Sequence, residues 1–283
     1  MSIEPILRRH LDRIDDLCVF PAVAGRVMRV AREADSTVTD MKGVVEQDPV
    51  LAGRIVELAN SALFARGVKV DSLRRAIQRL GFRRTRDAAV ALALTSLGRE
   101  ATPCATALWR HAMQSAEAAR VLSEHLPRDV GSRLFTAALV HDLGRQLMAV
   151  LDEPALVAIL DAERDGHPAV LELERDVFGV DHTTLGAACL RRWSFDDALV
   201  DAIASHHLPA GQVVGCADPR LVAALQLADA FARAVAHARR VVGVVTTVAS
   251  EPAVRVLGLR SEPLEEVAAV LVATSRASRR RAA

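Results

Sequence analysis

Aromatic residues are scarce in this 283-residue chain, which has no tyrosine, seven phenylalanines and two tryptophans. Proteins that bind single-stranded nucleic acid stack the bases on several aromatic side chains, and this chain has few of them. Excess charge is also missing, because 36 basic residues balance 35 acidic ones and leave a net charge of +1. That balance disfavours a surface built throughout to bind nucleic acid or an anionic membrane. We therefore expect neither as a partner.

Cysteine pairs, long apolar runs and a signal peptide are absent as well. The four cysteines contain no C-x-x-C pair, which indicates reduced thiols. No run of about 18 uncharged apolar residues exists, so the sequence predicts no membrane span. Glu4 and Pro5 stand where a signal peptide would begin its apolar segment. The sequence thus predicts a cytoplasmic protein, with free thiols at Cys18, Cys104, Cys189 and Cys216.

Several motifs of well-known enzyme classes are missing too. The chain has no G-x-S-x-G nucleophile elbow, no P-loop and no G-x-G-x-x-G fingerprint. Its only lysines, Lys42 and Lys69, do not follow glycine-rich loops. These absences argue against an α/β-hydrolase, a P-loop nucleotidase and a Rossmann dehydrogenase.

Helical periodicity, by contrast, covers nearly the whole chain, and alternating strand patterns are essentially missing. Apolar residues repeat at helical spacing over 73–80, behind a predicted cap at Asp71. Asp218 followed by Pro219 predicts another helix start. One β-branched run, VVGVVTTV at 241–248, is compatible with a strand or with a buried connector between helices. We predict an all-α fold.

The pattern divides the chain into two helical lobes. Residues 1–100 form the N-terminal lobe, and GREATPCAT at 98–106 is the predicted junction. Residues 101–275 form the second lobe. The arginine-rich stretch at 276–283 is predicted to be a flexible basic tail.

The second lobe places histidines and aspartates where helical periodicity predicts an apolar interior. One histidine shares an apolar stripe with Leu108 and Leu122, and one aspartate shares a stripe with Val222 and Leu225. The full set is His111, His141, Asp142, His182, His206, His207 and Asp229.

Two interpretations of this set stay open at the level of sequence. Each residue taken singly is compatible with a hydrogen-bonded core side chain. Taken together, two carboxylates and several imidazoles inside one bundle are costly unless each charge is paired. A divalent metal removes that cost, since carboxylate oxygen and neutral imidazole nitrogen are its ligands. Spacing alone does not show whether the seven residues converge.

The order of these residues resembles the ligand set of the HD superfamily of metal-dependent phosphohydrolases. HDLGR at 141–145 is similar to the HD-x-G-K segment of that superfamily. The resemblance implies that a principal metal is held by His111, His141, Asp142 and Asp229, and that His182, His206 and His207 hold a second metal or position the leaving group. It also implies that the aspartate of the doublet, Asp142, can be shared by two metals. For an active enzyme it implies catalytic roles for His141, Asp142 and Arg145, the last as a phosphate clamp. Iron, manganese, nickel or zinc suits such mixed ligands, as one or two ions.

The N-terminal lobe resembles one branch of that superfamily, the HDOD (HD-related output) domain of bacterial signalling proteins. The most specific pieces are QDPVL at 47–51 and LANSALF at 58–64, inside a similar segment at 20–64. Further similar segments are SLRRAIQRLGF (72–82), LWRH (108–111), FGVDHTTLGAACLRRW (178–193) and AIASHH (202–207). The resemblance implies a two-lobed all-α fold whose C-terminal lobe is an HD-like helical bundle. It also implies a regulatory role.

Two functions follow from the resemblance. The first is a bacterial signal-transduction output module that binds metal and acts through a signalling protein or a nucleotide second messenger, without turnover. The second is a metal-dependent phosphohydrolase or phosphodiesterase acting on a nucleotide or cyclic dinucleotide. The chain departs from active cyclic-dinucleotide phosphodiesterases, since Arg145 replaces their lysine and no Gly-Tyr-Pro triplet follows His207. We therefore favour the first function and leave the oligomeric state open.

Overall fold

The computed structural model describes residues 3–17, 26–27, 29–30, 35–60, 64, 68–95, 102–193, 195–209, 213, 216–238 and 240–282. Every regular element in these ranges is a helix, which confirms the predicted all-α fold. No helix in the same ranges is long and apolar enough to cross a membrane. The helices are α1 (Ile3–Leu17), α2 (Val38–Val45), α3 (Pro49–Ala59), α4 (Leu73–Leu80), α5 (Phe82–Thr95), α6 (Pro103–Leu122), α7 (Arg128–Val140), α8 (Leu143–Arg164), α9 (Val170–Phe178), α10 (His182–Arg192), α11 (Asp197–Ser205), α12 (Pro219–His237), α13 (Val241–Ala249), α14 (Pro252–Leu257) and α15 (Ser261–Ala282).

Polar caps begin several of these helices, because the first N–H groups of a helix have no partner within it. The side chain of Asp218 accepts from the backbone N–H of Leu221 at 3.1 Å, with Pro219 in the first turn, as predicted. The predicted cap at Asp71 is wrong by one residue. Ser72 caps α4 instead, because its extended backbone directs the hydroxyl to the N–H of Arg75, 3.5 Å away.

The β-branched run at 241–248 forms helix α13 and is not a strand. Val244 and Val248 are both fully buried, and their spacing of four residues places them on one helical face. The hydroxyls of Thr246 and Thr247 donate to carbonyls one turn earlier in the same helix, at 2.8 and 2.9 Å. Tertiary packing of this face overrides the strand propensity of the β-branched residues.

The chain separates into two compact units. The larger unit contains residues 1–17 and 100–275, and the smaller unit contains 18–99 and 276–283. Helix α1 therefore belongs with the larger unit and not with a lobe of residues 1–100. Two contacts hold it there: the His10 ring N–H donates to the Phe178 carbonyl at 2.6 Å, and Arg13 donates to the Leu151 carbonyl at 3.3 Å. Because α1 is amphipathic, its partner was not evident from sequence.

Helix α12 lies at the centre of the larger unit and packs against α6, α7, α11, α13 and α14. Thirteen of its nineteen residues are buried, so it is apolar almost all round, as expected for a central helix. Asp229 is the one acidic residue among them, at 3% exposure. A carboxylate in this position needs a partner, because an unpaired charge in a core is strongly destabilising.

The smaller unit is built around the apolar faces of short helices. Ala76, Ile77 and Leu80 of α4 are buried, while the arginines of that helix lie on the other side. Asn60, at the end of α3, closes a loop by exchanging two hydrogen bonds with the backbone of Val70, at 2.6 and 2.8 Å. This pair of hydrogen bonds gives Asn60 a structural role.

Two further predictions concern the C-terminal segment and the cysteines. Helix α15 extends through Ala282, into the stretch expected to be a flexible tail. Cys104, Cys189 and Cys216 form no disulfide within the described part of the chain, as predicted. Cys18 lies outside the described residues.

A buried carboxyl joins α6 to α15. Glu117 is 4% exposed, and its Oε1 lies 2.9 Å from the hydroxyl of Thr274, which also lies 2.9 Å from the Val270 carbonyl. One hydroxyl proton cannot serve both acceptors, so a protonated Glu117 that donates to Thr274 completes the arrangement. Burial raises the pKa of Glu117 from 4.5 to about 7, against smaller opposing effects of Thr274 and Arg120.

This pKa predicts a pH-dependent stability. Because the folded protein holds the proton of Glu117 more tightly than the unfolded chain, the contribution of Glu117 to stability is greatest below pH 4.5 and is lost as the pH rises to about 7. The loss has an upper limit of about 3 kcal/mol. We expect Glu117→Gln to recover about 1–3 kcal/mol at pH 8 and nothing at pH 4.5, measured by chemical denaturation. Glu265→Gln, an exposed change on α15, should change stability by less than about 0.5 kcal/mol at either pH. An equal gain in the free energy of unfolding for Glu117→Gln at both pH values would contradict a raised pKa of Glu117.

Candidate metal centre

Seven side chains of the larger unit converge beside the middle of α12, at Asp229. They come from the middle of α6, the α7–α8 junction, the start of α10, the segment that follows α11, and α12 itself. These are the residues singled out by sequence: His111, His141, Asp142, His182, His206, His207 and Asp229. The structure thus brings together in space residues that lie as far as 118 positions apart in the chain.

The α7–α8 junction owes its position to Gly144. A Cβ atom at this glycine would lie 2.0 Å from the carbonyl oxygen of His182 and 2.7 Å from the His182 Cα. Only glycine allows the first turn of α8 to approach the start of α10 this closely. The approach places Asp142, which directly precedes α8, beside His182.

Asp142 stands between two groups of ligand atoms and turns one carboxylate oxygen toward each. Its Oδ2 lies 3.3 Å from Nε2 of His141 and 3.6 Å from Nε2 of His111. Oδ1 of Asp229 completes this first group, at 3.0 Å from Nε2 of His111 and 3.7 Å from Nε2 of His141. We call His111, His141, Asp142 and Asp229 the first group.

The second group lies on the other side of the same carboxylate. Oδ1 of Asp142 is 3.4 Å from Nε2 of His182 and 3.9 Å from Nε2 of His206, and these two nitrogens are 3.5 Å apart. The ring of His207 stacks next to both, with centroids 5.0 Å from His182 and 4.2 Å from His206. One ligand atom from each of Asp142, His182, His206 and His207 fits within a span of 4.8 Å. We call these four residues the second group.

Backbone and carboxylate acceptors orient three of the imidazoles. Nδ1 of His141 donates to the Ala138 carbonyl at 2.9 Å, and Nδ1 of His206 donates to the Ile203 carbonyl at 2.7 Å. Nδ1 of His182 donates to a carboxylate, Oε2 of Glu174, at 2.6 Å. Because Nδ1 is held by its acceptor, each ring turns Nε2 into the cluster, which is the orientation that a metal ligand requires.

Within the described part of the chain, two buried polar atoms of the first group make no well-aligned hydrogen bond, although each lies 3.0–3.3 Å from an ion-pair partner. They are Nε2 of His141 and Oδ1 of Asp229. An unsatisfied buried nitrogen or carboxylate oxygen costs roughly 1–3 kcal/mol, more when it is charged. Both atoms are metal donors, and both face the same space between His111 and Asp142. The residues present therefore fit a divalent cation.

The electrostatics of the cluster agree with this donor chemistry. Burial opposes ionisation of Asp142, but His141 and Arg145 outweigh it and hold the pKa of Asp142 well below its usual range. Arg233 and His111 do the same for the pKa of Asp229. Burial, together with His207 and His141, lowers the pKa of His206, so this ring is neutral. Ionised carboxylates and neutral imidazoles are the forms that bind metal.

His141 carries the charge when no metal is present. Burial lowers the pKa of His141, but Asp142, Asp229 and the Ala138 carbonyl raise it more, to about 9. A cation in the first group takes over the role of this proton, because it satisfies the same two carboxylates.

Sequence reasoning missed the residues that support the cluster from outside. Glu174 is fully buried and bonds His182, and Arg233 pairs with Asp229 one helical turn away. A signal for Glu174 exists in the sequence, since it lies four residues before Phe178 on the buried face of α9. A charged residue on such a face indicates a buried partner.

Comparison with known proteins places this geometry in a family. Residues 17–209 match the HDOD domain model, a segment that includes six of the seven cluster residues and ends before Asp229. An uncharacterized protein of Treponema pallidum (strain Nichols) is 24% identical over 199 residues, which cover 69% of this chain. The chain spans 38% of the length of that relative.

Solved structures share the fold. An HDOD domain protein of unknown function from Geobacter sulfurreducens aligns with a TM-score of 0.66 at 23% identity, over 95% of this chain and 98% of that one. A Shewanella amazonensis SB2B protein, whose name proposes a phosphohydrolase, aligns with a TM-score of 0.69 at 22% identity, over 94% and 97% of the two chains. A Marinobacter aquaeolei VT8 protein, whose name proposes signal transduction, aligns with a TM-score of 0.65 at 23% identity, over 89% and 56%. On the domain match, this chain belongs to the HDOD family.

Proposed function

We propose that this protein is a bacterial signal-transduction output module whose His/Asp cluster holds one or two divalent transition-metal ions. It acts by binding a partner protein or a small ligand, without turnover. The observation that carries the metal site is a pair of buried donor atoms, Nε2 of His141 and Oδ1 of Asp229, that make no well-aligned hydrogen bond to any described residue. The surrounding donor set is complete, which a purely hydrogen-bonded core does not require.

The two groups of donors support two ion positions. His111, His141, Asp142 and Asp229 would hold the first ion, and Asp142, His182, His206 and His207 would hold the second. The two oxygens of Asp142 face one group each, so this carboxylate is the shared ligand. Mixed imidazole and carboxylate donors suit iron, manganese, nickel or zinc. When bound, such ions supply Lewis-acid polarisation of a phosphoryl group or, in a regulatory protein, a rigid centre for the bundle.

The state of Arg145 supports a role without turnover. Its guanidinium donates through Nε to Oε1 of Glu174 at 3.2 Å and lies 3.0 Å from Oε2 of Glu163. The side chain is 9% exposed, so both carboxylates shield it from an incoming phosphate. Arg145, which stands at the position of the HD-x-G-K lysine, thus already has ion-pair partners within the protein. A phosphate clamp requires a cation whose donors are free.

One observation favours the alternative, a metal-dependent phosphohydrolase or phosphodiesterase acting on a nucleotide or cyclic dinucleotide. The cluster is open to solvent on one side, since the His111 side chain is 25% exposed and His207 is also accessible. A ligand with a phosphate group has a path to the metal donors. The same opening serves a nucleotide second messenger that binds and is not hydrolysed, so it does not by itself require catalysis.

The family supports the regulatory setting. This chain belongs to the HDOD family, and a similar structure from Marinobacter aquaeolei carries a name that proposes signal transduction. We therefore extend the proposal to a cytoplasmic protein whose partners are a signalling protein or a nucleotide second messenger.

Elemental analysis tests the metal site. Protein purified without chelators or a metal column is expected to contain about one to two equivalents of a transition metal. Dialysis against a chelator followed by addition of Mn²⁺, Fe²⁺, Ni²⁺ or Zn²⁺ should restore the content. Protein that stays free of metal after reconstitution would overturn the proposal, and the cluster would then be a hydrogen-bonded core.

Hydrolysis assays separate the two functions. The metal-loaded protein is expected to leave nucleoside triphosphates, nucleoside monophosphates and cyclic dinucleotides intact. Turnover of any of these, lost in the His141→Ala, Asp142→Ala double variant, would establish the phosphohydrolase alternative. A control reaction with chelator-treated protein identifies contaminating activity that needs no metal.

A further inference from the structure

A buried carboxylate behind His182 makes three hydrogen bonds, two of them to His182 itself. Oε2 of Glu174 accepts from Nδ1 of His182 at 2.6 Å and from the backbone N–H of the same residue at 2.8 Å. Oε1 of Glu174 accepts from Nε of Arg145 at 3.2 Å. Glu174 is 0% exposed, so water contributes nothing to holding the ring.

Arg145 fixes this carboxylate from the far side. Its Nη1 and Nη2 lie 3.0 and 3.3 Å from the two carboxylate oxygens of Glu163, which leaves Nε for Glu174. A guanidinium held by two carboxylates in this way has little rotational freedom. The chain of contacts therefore runs from Glu163 to Arg145, then to Glu174, and ends at His182.

We propose that Arg145 and Glu174 are positioning residues for the second metal group. Glu174 holds the proton of His182 on Nδ1, so that Nε2 faces Asp142 as a donor, and Arg145 fixes Glu174 in place. The inference rests on the proposed metal function and deepens it. It assigns to Arg145 a role in forming the metal site, where the resemblance to HD enzymes implies a phosphate clamp.

His182 differs from His141 and His206 in the acceptor that its Nδ1 contacts. In the first group, His141 is oriented by a neutral backbone carbonyl, and in the second group His206 is oriented in the same way. His182 is the one cluster histidine whose Nδ1 meets a carboxylate among the described hydrogen bonds. A carboxylate behind a histidine makes that ring a stronger donor, and losing such a partner weakens metal affinity about 10- to 100-fold. The effect is confined to the ion that His182 binds.

Three variants of the full chain test this role. Glu174→Gln keeps an oxygen for the His182 N–H groups but removes the negative charge, whereas Glu174→Met removes both. Glu172→Gln is the matched control, because it makes the same change at an exposed side chain two residues away on α9. Circular dichroism and thermal unfolding establish that each variant is folded.

The first measurement is the tautomer of His182 in metal-free protein, from ¹⁵N NMR of histidine-labelled chain. Wild type, Glu172→Gln and Glu174→Gln are expected to show His182 protonated on Nδ1, and Glu174→Met a mixture of tautomers. A purely structural ion pair would leave the tautomer unchanged in Glu174→Met, and that result would overturn the inference.

The second measurement is a titration with Co²⁺ alone, followed by calorimetry and visible absorption. The wild type is expected to bind two ions, and Glu174→Gln is expected to bind the second about 10- to 100-fold more weakly with the first unchanged. Equal affinities in wild type and Glu174→Gln, or equal weakening of both ions, would overturn the inference. A wild type that binds no Co²⁺ would overturn the proposed function instead, and the tautomer measurement would still decide the role of Glu174.

Discussion

Replacing Asp142 with alanine is expected to abolish binding of both metal ions. The two oxygens of this carboxylate face the two donor groups, at 3.3 Å from Nε2 of His141 and 3.4 Å from Nε2 of His182. Removing a shared ligand should weaken each site by more than about 100-fold, beyond the loss typical of an outer-shell partner. Elemental analysis and Co²⁺ titration of the purified variant measure the loss directly.

Two further variants give this experiment its controls. Asp229→Asn changes the first group alone, so it should lose one ion and retain the other. Asp181→Asn changes a buried carboxylate that caps α10 without belonging to the cluster, and asparagine is an equally good cap. It should retain both ions. Retention of one ion in Asp142→Ala would show that the groups are independent and that Asp142 is not shared.

Replacing Gly144 with alanine is expected to destabilise the protein strongly, although alanine favours helices. The added methyl would lie 2.0 Å from the carbonyl oxygen of His182. The clash is between the α8 backbone and the α10 backbone, which cannot move aside as a flexible side chain can. We expect a loss of about 3 kcal/mol or more, which corresponds to a melting temperature roughly 6–12 °C lower. Thermal unfolding of the metal-free variant measures it. Displacement of His182 should also remove the second ion from the loaded protein.

A glycine in open space provides the control for helix propensity. Gly53 is exposed in α3, and a Cβ atom there meets nothing within 4 Å. Gly53→Ala should therefore stabilise the protein by about 0.5–1 kcal/mol. Opposite signs for the two substitutions are expected. Wild-type stability and metal content in Gly144→Ala would mean that α8 and α10 do not approach as closely as the structure indicates.

The all-α fold and the chemistry of the cluster could be predicted from the sequence. Helical periodicity is a local property of the chain, so apolar spacing sufficed to predict the elements. The candidate ligands were evident because histidine and aspartate at core positions, such as His111 and Asp229, conflict with the pattern around them. Glu174 shows the same conflict on the buried face of α9, but it is not a ligand type that the resemblance to HD enzymes singled out.

Errors arose where a local pattern is compatible with more than one structure. The run at 241–248 has strand propensity, and packing of Val244 and Val248 made it a helix. Helix α1 is amphipathic, and nothing in its own residues indicates that its apolar face packs in the larger unit. In both cases the outcome depends on residues distant in sequence.

The sequence by itself determined the all-α class, the family and the seven histidines and aspartates able to bind metal. Only the tertiary structure decided that these residues converge, that the two oxygens of Asp142 face one group each, and that Arg145 is held by Glu163 and Glu174. The physical reason is that periodicity reports which face of a helix is buried, whereas a coordination site depends on how separate helices approach one another. That approach is set by contacts such as Gly144 against His182, which join parts of the chain that the sequence pattern treats independently.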